Sequence, residues 1–322
     1  TATGWKSLSG KSVGDLLSGT GIVSYHFRKL GCKSFSNDAE LYSSVISEAF
    51  ALATYSGSIP GIIETLNKEL DISSNLTYTG YITTHYSPIG DRMFFTEENA
   101  KRIDYLRKRI AELDICYLDR IFLLASLLYS ADSVSNVPAV YGCFLKDFKD
   151  KAKKKLVLKP IHTCTIPPVD GSQAFNSDIL ELASSLTELD LVYIDPPYNE
   201  RQYSKNYFPL NMIAKDPEAL KYEPELGGKT GIPQDCFIST FCKKKQVEDT
   251  FKKLCADLKS KFIVISYNSE SLIEKDRMIE LLGEFGTVSV FERGYKRFKS
   301  FEYNEGNRVS EFLFVVAKAT TK

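Results

Sequence analysis

Residues 12–31 read SVGDLLSGTGIVSYHFRKLG, and this stretch decides the fold. Ser12 to Leu17 reads as a short buried strand, Ser18-Gly19-Thr20-Gly21 as a tight turn, and Ile22 to Leu30 as an amphipathic helix ended by Gly31. Strand, glycine turn and helix, in that order, are the opening unit of a parallel α/β sheet. Outward from it, Lys33 to Ser36 is a second strand, Asn37-Asp38 lies at its end, and Ala39 to Ala53 is the next helix.

From Thr96 the pattern changes to long helical periodicity. Ile103, Leu106, Ile110 and Leu113 lead into Leu118 to Leu128, with Thr96 as cap and Glu97 and Glu98 as an acidic first turn. Segment 86–160 is therefore expected to be a helical insertion that interrupts the α/β alternation. The alternation resumes near Phe175-Asn176-Ser177-Asp178. Leu189 to Ile194 and Lys261 to Tyr267 are strands, and Thr287 to Phe291 with Glu311 to Ala317 form a closing antiparallel pair. Segment 213–245, with Asp216-Pro217, Gly227-Gly228 and Thr230-Gly231, is polar and turn-rich and is expected to be a surface excursion.

The 322 residues carry 41 Lys+Arg against 41 Asp+Glu, with 43% hydrophobic and 25% charged residues, which excludes disordered and collagen-like classes. The length suits one large domain or two. The balanced charge excludes an overall cationic coat while permitting a basic face. The longest apolar candidate, Ile121 to Tyr129, is too short to span a membrane, and Thr1-Ala2-Thr3-Gly4 does not resemble a signal peptide. The missing initiator Met hints at a trimmed start. Seven scattered cysteines without a CxxC pair point to a reducing compartment, hence an intracellular, cytoplasmic location. Three distant histidines without HExxH give no reason to expect a metal.

Two stretches carry chemistry. Gly19 and Gly21, after a strand and before a helix, allow a ligand close to the backbone, although the spacing is not GxGxxG and a tight turn without a ligand also explains them. Asp38, at the end of the next strand, is placed to accept both hydroxyls of a ribose, or to cap a helix. More specific is Asp195-Pro196-Pro197-Tyr198 after the apolar strand. Two prolines fix φ and remove two donors, so they force a rigid, exposed turn. Asp195 and the Pro196 carbonyl then form a pair of acceptors for an amino group that presents two hydrogens, and Tyr198 offers a face on which a planar base stacks.

These motifs together resemble those of adenine-specific DNA methyltransferases of the restriction–modification and Dam-like type. Asp15 to Gly21 looks like the first S-adenosylmethionine (AdoMet) motif, Asn37-Asp38 like the ribose position, Asn176-Ser177-Asp178-Ile179 like the adenine-binding position, and Asp195 to Tyr198 like the DPPY catalytic motif. Cofactor motif before catalytic motif is the order of the α group. Similar stretches run through most of the chain, among them Val140 to Lys146, Tyr198 to Tyr203, Gly228 to Gly231 and Ser266-Tyr267-Asn268. One segment departs: such proteins carry a Tyr/Phe-Ile-Gly-Ser-Lys-like stretch some twenty residues before the first motif, and Gly4-Trp5-Lys6 does not match it.

The resemblance implies a Rossmann-like AdoMet-dependent methyltransferase sheet with a helical insertion and a smaller DNA-recognition region. Residues 1–85 would be the AdoMet-binding part, 86–160 the insertion and a candidate for DNA recognition, and 161–322 the catalytic part, whose 213–245 excursion is a second candidate. It implies cofactor contacts from Asp15, Gly19, Thr20, Gly21, Asp38, Asp178 and Ile179, and catalysis at Asp195, Pro196, Pro197 and Tyr198 on an adenine flipped out of duplex DNA. A cognate restriction endonuclease would be its counterpart, and a bacterial or viral source is expected.

Candidate DNA contacts are Tyr203, which is equally readable as core together with Asn206 and Tyr207, and the run Lys146 to Lys159, with seven lysines and two aspartates. That run, including Lys153, Lys154 and Lys155, suits phosphate contacts or a solvated linker. Tyr295, Lys296 and Arg297, in the hairpin between the last strands, are a third set. An RNA adenine methyltransferase, a cytosine N4 enzyme, which more often has Ser in place of Asp195, and a non-catalytic DNA-binding subunit are the alternatives.

Overall fold

The computed structural model describes residues 3–222, 226–296 and 308–319. In chain order the elements are β1 (Ser12–Asp15), α1 (Ile22–Lys29), β2 (Lys33–Asn37), α2 (Leu41–Leu52), α3 (Ile59–Leu70), α4 (Tyr81–Tyr86), α5 (Glu97–Glu112), α6 (Tyr117–Ser133), α7 (Asp150–Lys153), β3 (Gln173–Phe175), α8 (Ile179–Ser185), β4 (Leu189–Ile194), α9 (Tyr203–Ala214), β5 (Leu226–Gly227), β6 (Ile232–Pro233), α10 (Val247–Asp257), β7 (Ser260–Asn268), α11 (Lys275–Gly283), β8 (Gly286–Lys296) and β9 (Arg308–Lys318).

They fall into two compact units, one of residues 1–39, 168–202 and 238–322, the other of residues 40–167 and 203–237. The first holds a seven-stranded sheet in the order β3-β2-β1-β4-β7-β9-β8. Strands β3, β2, β1, β4 and β7 run parallel, and β9 is antiparallel to both β7 and β8. The Rossmann-like α/β reading and the closing antiparallel pair are thus realised. One face of the sheet, with Leu16, Val192, Ile194, Ile263, Ile265 and Phe314, packs on α8, α10 and α11. The other buries Val13, Leu191, Val264 and Val315 beneath Trp5, Leu8 and Phe27. Burial on both faces is why 189–194 is an almost unbroken apolar run.

The second unit is mainly helical and takes in α2 to α4 and α9 as well as the segment read as an insertion. Its central helix is α6, where Ile121 to Leu128 are all buried, so the longest apolar run of the sequence is a core helix. Thr96 caps α5 by accepting from the Asn99 N–H at 3.2 Å. Asp104 caps α4, accepting from the N–H groups of Gly80, Ile82 and Thr83. Among the described residues no helix is long and apolar enough to cross a membrane.

Boundaries differ from the expectation where side chains intervene. Helix α2 starts at Leu41 rather than Ala39, because Asn176 Nδ2 donates to the carbonyls of Asp38 and Ala39 and holds them out of the helix. Regular long helix in 86–160 ends at Ser133, and only the four-residue α7 follows before β3.

Candidate active site

Strand order reverses at β1, which has β2 on one side and β4 on the other. In open α/β sheets the crevice beyond the carboxyl ends of strands at such a switch point binds ligands. Asp15 ends β1, and its register partner Tyr193 lies two residues before Asp195. The glycine turn and the Asp-Pro-Pro-Tyr turn therefore leave neighbouring strands at the same end of the sheet.

The glycine turn is built around three side chains. Gly19 and Gly21 have φ of 51° and 71°, the left-handed region in which a side chain is strained, and Gly21 is the N-cap of α1. The Gly19 N–H donates to Asp38 Oδ2 at 2.8 Å. Asp15 is buried, and its Oδ2 accepts from the Ser24 N–H at 2.9 Å and the Ser24 hydroxyl at 2.7 Å. Its Oδ1 is buried without a hydrogen-bond partner. Burial pushes the carboxyl up to about 7 against the two bonds from Ser24, with Asp38 and Asp195 adding like-charge repulsion. Thr20 is exposed at the tip of the turn.

Asn37, fully buried beside Asp38, ties the loops together. Its Nδ2 donates to the carbonyls of Leu16 and Ser177, and its Oδ1 accepts from the Ser177 N–H. Asp178 is half-buried and caps α8, with Oδ1 accepting from the Leu180 N–H at 2.9 Å, while Ile179 turns into the core. The turn thus brings together Asp15, Gly19, Gly21 and Asp38, with Asp178 on the segment that Asn37 ties to it.

After β4, Asp195, Pro196 and Tyr198 line a cleft of about 300 Å³ together with Ser266, Tyr267 and Asn268 of β7 and Glu311 of β9. That is the lower end of the range for small-ligand sites. Tyr198 is 40% exposed, and its carbonyl accepts from the Leu272 N–H, which fixes the turn. Desolvation, with Glu311 as a second negative charge, raises Asp195 to about 6. Asp195 is nevertheless exposed as a residue, unlike Asp15. Asn268 Oδ1 accepts from the Glu270 N–H and the Ser271 hydroxyl, which leaves its amide hydrogens as donors at the cleft wall.

In the helical unit, Lys153, Lys154 and Lys155 are exposed, whereas Ala152, Leu156 and Leu158 are buried. Asn99 Nδ2 donates to the carbonyls of Ala152 and Lys154, Asn99 Oδ1 accepts from the Leu156 N–H, and Asn67 brackets Leu158 in the same way. The lysine run is therefore a pinned ridge rather than a loose linker. Tyr203, 41% exposed, starts α9 and stacks on Tyr207, which also contacts Tyr42 and Tyr141. Tyr295 and Lys296 lie at the end of β8, and Arg297 is outside the described residues. Among the described residues no cluster of three or more His, Cys, Asp or Glu could hold a metal ion.

Reading the sequence alone missed Ser24 and Glu311, and named Asn37 and Asn268 only within the Asn37-Asp38 and Ser266-Tyr267-Asn268 stretches, without a role of their own. Glu311 had no signal, because only strand order brings β9 to the cleft.

Comparison with known proteins gives one answer. The chain is 40% identical to the type II methyltransferase M.CviAII of Paramecium bursaria Chlorella virus 1, over 94% of this chain and 89% of that protein. It is 34% identical to M.NlaIII of Neisseria lactamica over 97% and 92% of the two chains. It is also 34% identical to M.FokI of Planomicrobium okeanokoites over 94% of this chain, which spans about half, 48%, of that longer protein. No solved structure matches. The profile of one family, described as D12 class N6 adenine-specific DNA methyltransferase, covers residues 6–281, from before the glycine turn to beyond the Asp195-Pro196-Pro197-Tyr198 turn and β7. On the switch-point sheet, the two turns and this extent of similarity, the chain belongs to the D12 class of N6 adenine-specific DNA methyltransferases.

Proposed function

We propose that the chain uses AdoMet as methyl donor and methylates N6 of an adenine swung out of duplex DNA at a defined sequence. The observation that carries this reading is the Asp195-Pro196-Pro197-Tyr198 turn, which lines a base-sized cleft at the carboxyl end of the strand next to the glycine turn. The residues there fit AdoMet. Asp15 keeps a buried, unpartnered carboxylate oxygen beneath a turn of two left-handed glycines, a setting that favours a ligand with positive charge. Gly19 and Gly21, with Thr20 at the tip, would leave the backbone open to the methionine part, Asp38 would serve the ribose, and Asp178 and Ile179 the adenine ring. When bound, AdoMet supplies an electrophilic methyl group on a cationic sulfur.

The chain's own residues do the rest. An amino group inside a stacked duplex cannot reach the crevice, so the target base must leave the helix. Tyr198 then stacks on it, Asp195 and the Pro196 carbonyl accept its amino hydrogens, and Pro197 holds the turn rigid. Holding the nitrogen lone pair in line requires no covalent enzyme intermediate. The lysine ridge of Lys153, Lys154 and Lys155 would contact phosphates, Tyr203 a base or sugar, and Tyr295, Lys296 and Arg297 a groove. Segments 86–160 and 213–245 are the proposed readers of sequence. An intracellular setting and an endonuclease of the same specificity complete the proposal.

The test is transfer of tritiated methyl from AdoMet to unmethylated duplex DNA and, in parallel, to total RNA, with nucleoside analysis of the products. Label in N6-methyladenine from DNA, lost in Asp195→Ala with AdoMet binding retained, is the expected result. Label in RNA alone, or equal loss of transfer and AdoMet binding in Asp195→Ala, would refute it.

A further inference from the structure

We propose that Glu311 is a positioning residue that holds the Asp195 carboxylate as acceptor of the proton lost from the amino group during methylation. This rests on the reading of the cleft given above and adds a residue to it. Both carboxylates line the same cleft of about 300 Å³. The register explains how they meet. Ile194 pairs with Ile265, so Asp195 continues level with Ser266, and Glu311 pairs with Asn268 two residues further along. Side chains alternate across a sheet, so Asp195, Ser266, Asn268 and Glu311 share one face. Neighbouring strands are about 4.8 Å apart, and Asp195 faces Glu311 across β7 alone, which contributes neutral Ser266 and Asn268.

Among the described residues, Glu311 on β9 is the charged group that raises Asp195, while Asp195 in turn raises Asp15 on β1 and Tyr193 on its own strand. Glu311 has Arg293 opposite on β8, and Lys275 of α11 is engaged by Glu292 and Phe312, whose positions alternate with that of Glu311. Burial raises the Glu311 carboxyl too, and the like-charge effect of Glu311 raises Asp195 further.

The chemistry calls for such a pair. As the N6 lone pair forms the new bond to carbon, the carbon–sulfur bond breaks with its electron pair going to sulfur. The nitrogen becomes cationic and loses one proton, which passes to the Asp195 carboxylate and from there to water. A carboxylate of ordinary acidity is a weak acceptor at neutral pH, and a fixed negative charge across a partly dehydrated cleft makes it stronger. The same two charges favour the cationic nitrogen as it forms.

The test uses the full chain in two measurements. Carbon NMR of protein labelled at aspartate follows the Asp195 carboxyl, assigned by its absence in Asp195→Asn, and single-turnover transfer to duplex DNA is recorded against pH. Glu311→Gln should lower the Asp195 midpoint by about half a pH unit, move the acid limb of the rate profile down with it, and slow transfer above both midpoints about two- to threefold. Glu311→Asp, which keeps the charge, should restore most of both, with AdoMet affinity within about twofold in either variant. An unmoved Asp195 midpoint overturns the proposal. So does a moved midpoint with an unmoved acid limb, since Glu311 would then take no part in the reaction. A wild-type chain that transfers no methyl group to DNA fails the reading of the cleft and the proposal with it, and the NMR titration tells that failure from a missing coupling.

Discussion

Asp15→Asn should make the protein more stable at alkaline pH while weakening AdoMet binding. Asp15 is 2% exposed, and among the described residues its Oδ2 accepts from Ser24 while its Oδ1 has no partner. Its carboxyl stands at about 7 in the folded chain against 3.8 for an unperturbed aspartate. A folded-state value raised above the unfolded one means that the native state binds more protons between the two, so stability falls as pH rises through that window. The loss is absent below the unfolded value, about 4, and complete above the folded value, about 7. A shift of roughly three units at about 1.4 kcal/mol each puts its ceiling near 4 kcal/mol. Asparagine keeps an oxygen for Ser24 and removes the charge, at a cost of about 1–3 kcal/mol for a buried, unpaired amide N–H. The gap between variant and wild type should therefore widen in favour of the variant by about 2–3 kcal/mol from pH 5 to pH 8. Urea unfolding at a series of pH values measures it, with the fluorescence of the single tryptophan, Trp5, packed edge-on against Phe262 of β7, reporting on the sheet unit. A difference that stays flat with pH, or one that favours wild type as pH rises, would refute the reasoning by showing that the N-terminus of α1 stabilises the anion more than burial destabilises it.

Three further outcomes are expected. AdoMet binding to wild type should weaken as pH falls below about 7, because the charge that complements a cationic ligand is neutralised at Asp15, and Asp15→Asn should remove that dependence; calorimetry across this range measures it. Gly19→Ala adds a Cβ that meets nothing within 4 Å but forces a left-handed φ of 51°, so it should cost about 1–2 kcal/mol in urea unfolding and weaken AdoMet binding without a steric clash. Replacing Lys153, Lys154 and Lys155 together by Gln should lessen the slope of log affinity for duplex DNA against log salt by about two to three and leave AdoMet binding unchanged; an unchanged slope would remove the ridge from the interface.

The cleft shows where local reading stops. Asp195 to Tyr198 could be read as a rigid turn because two prolines in succession restrict the backbone whatever surrounds them, and Gly19 and Gly21 as a turn because few other residues tolerate a positive φ. Sheet strands of the first unit were legible because burial on both faces demands an unbroken apolar run, as at Leu189 to Ile194. The extent of the helical unit was not, since α9 joins it from beyond β4, and packing between distant segments leaves no periodic mark. The lysine run looked equally like a linker, because the two asparagines that pin it, Asn67 and Asn99, lie in other helices.

By itself, then, the sequence determined the strand–turn–helix opening, the two turns and the class of chemistry they resemble, all of which depend on residues within a few positions of one another. Only the tertiary structure decided that β1 and β4 are neighbours, that Asp15 is buried with an unpartnered oxygen, and that Glu311 faces Asp195 across β7. Those facts follow from strand order and register, which depend on the total burial of the sheet rather than on any local stretch of chain.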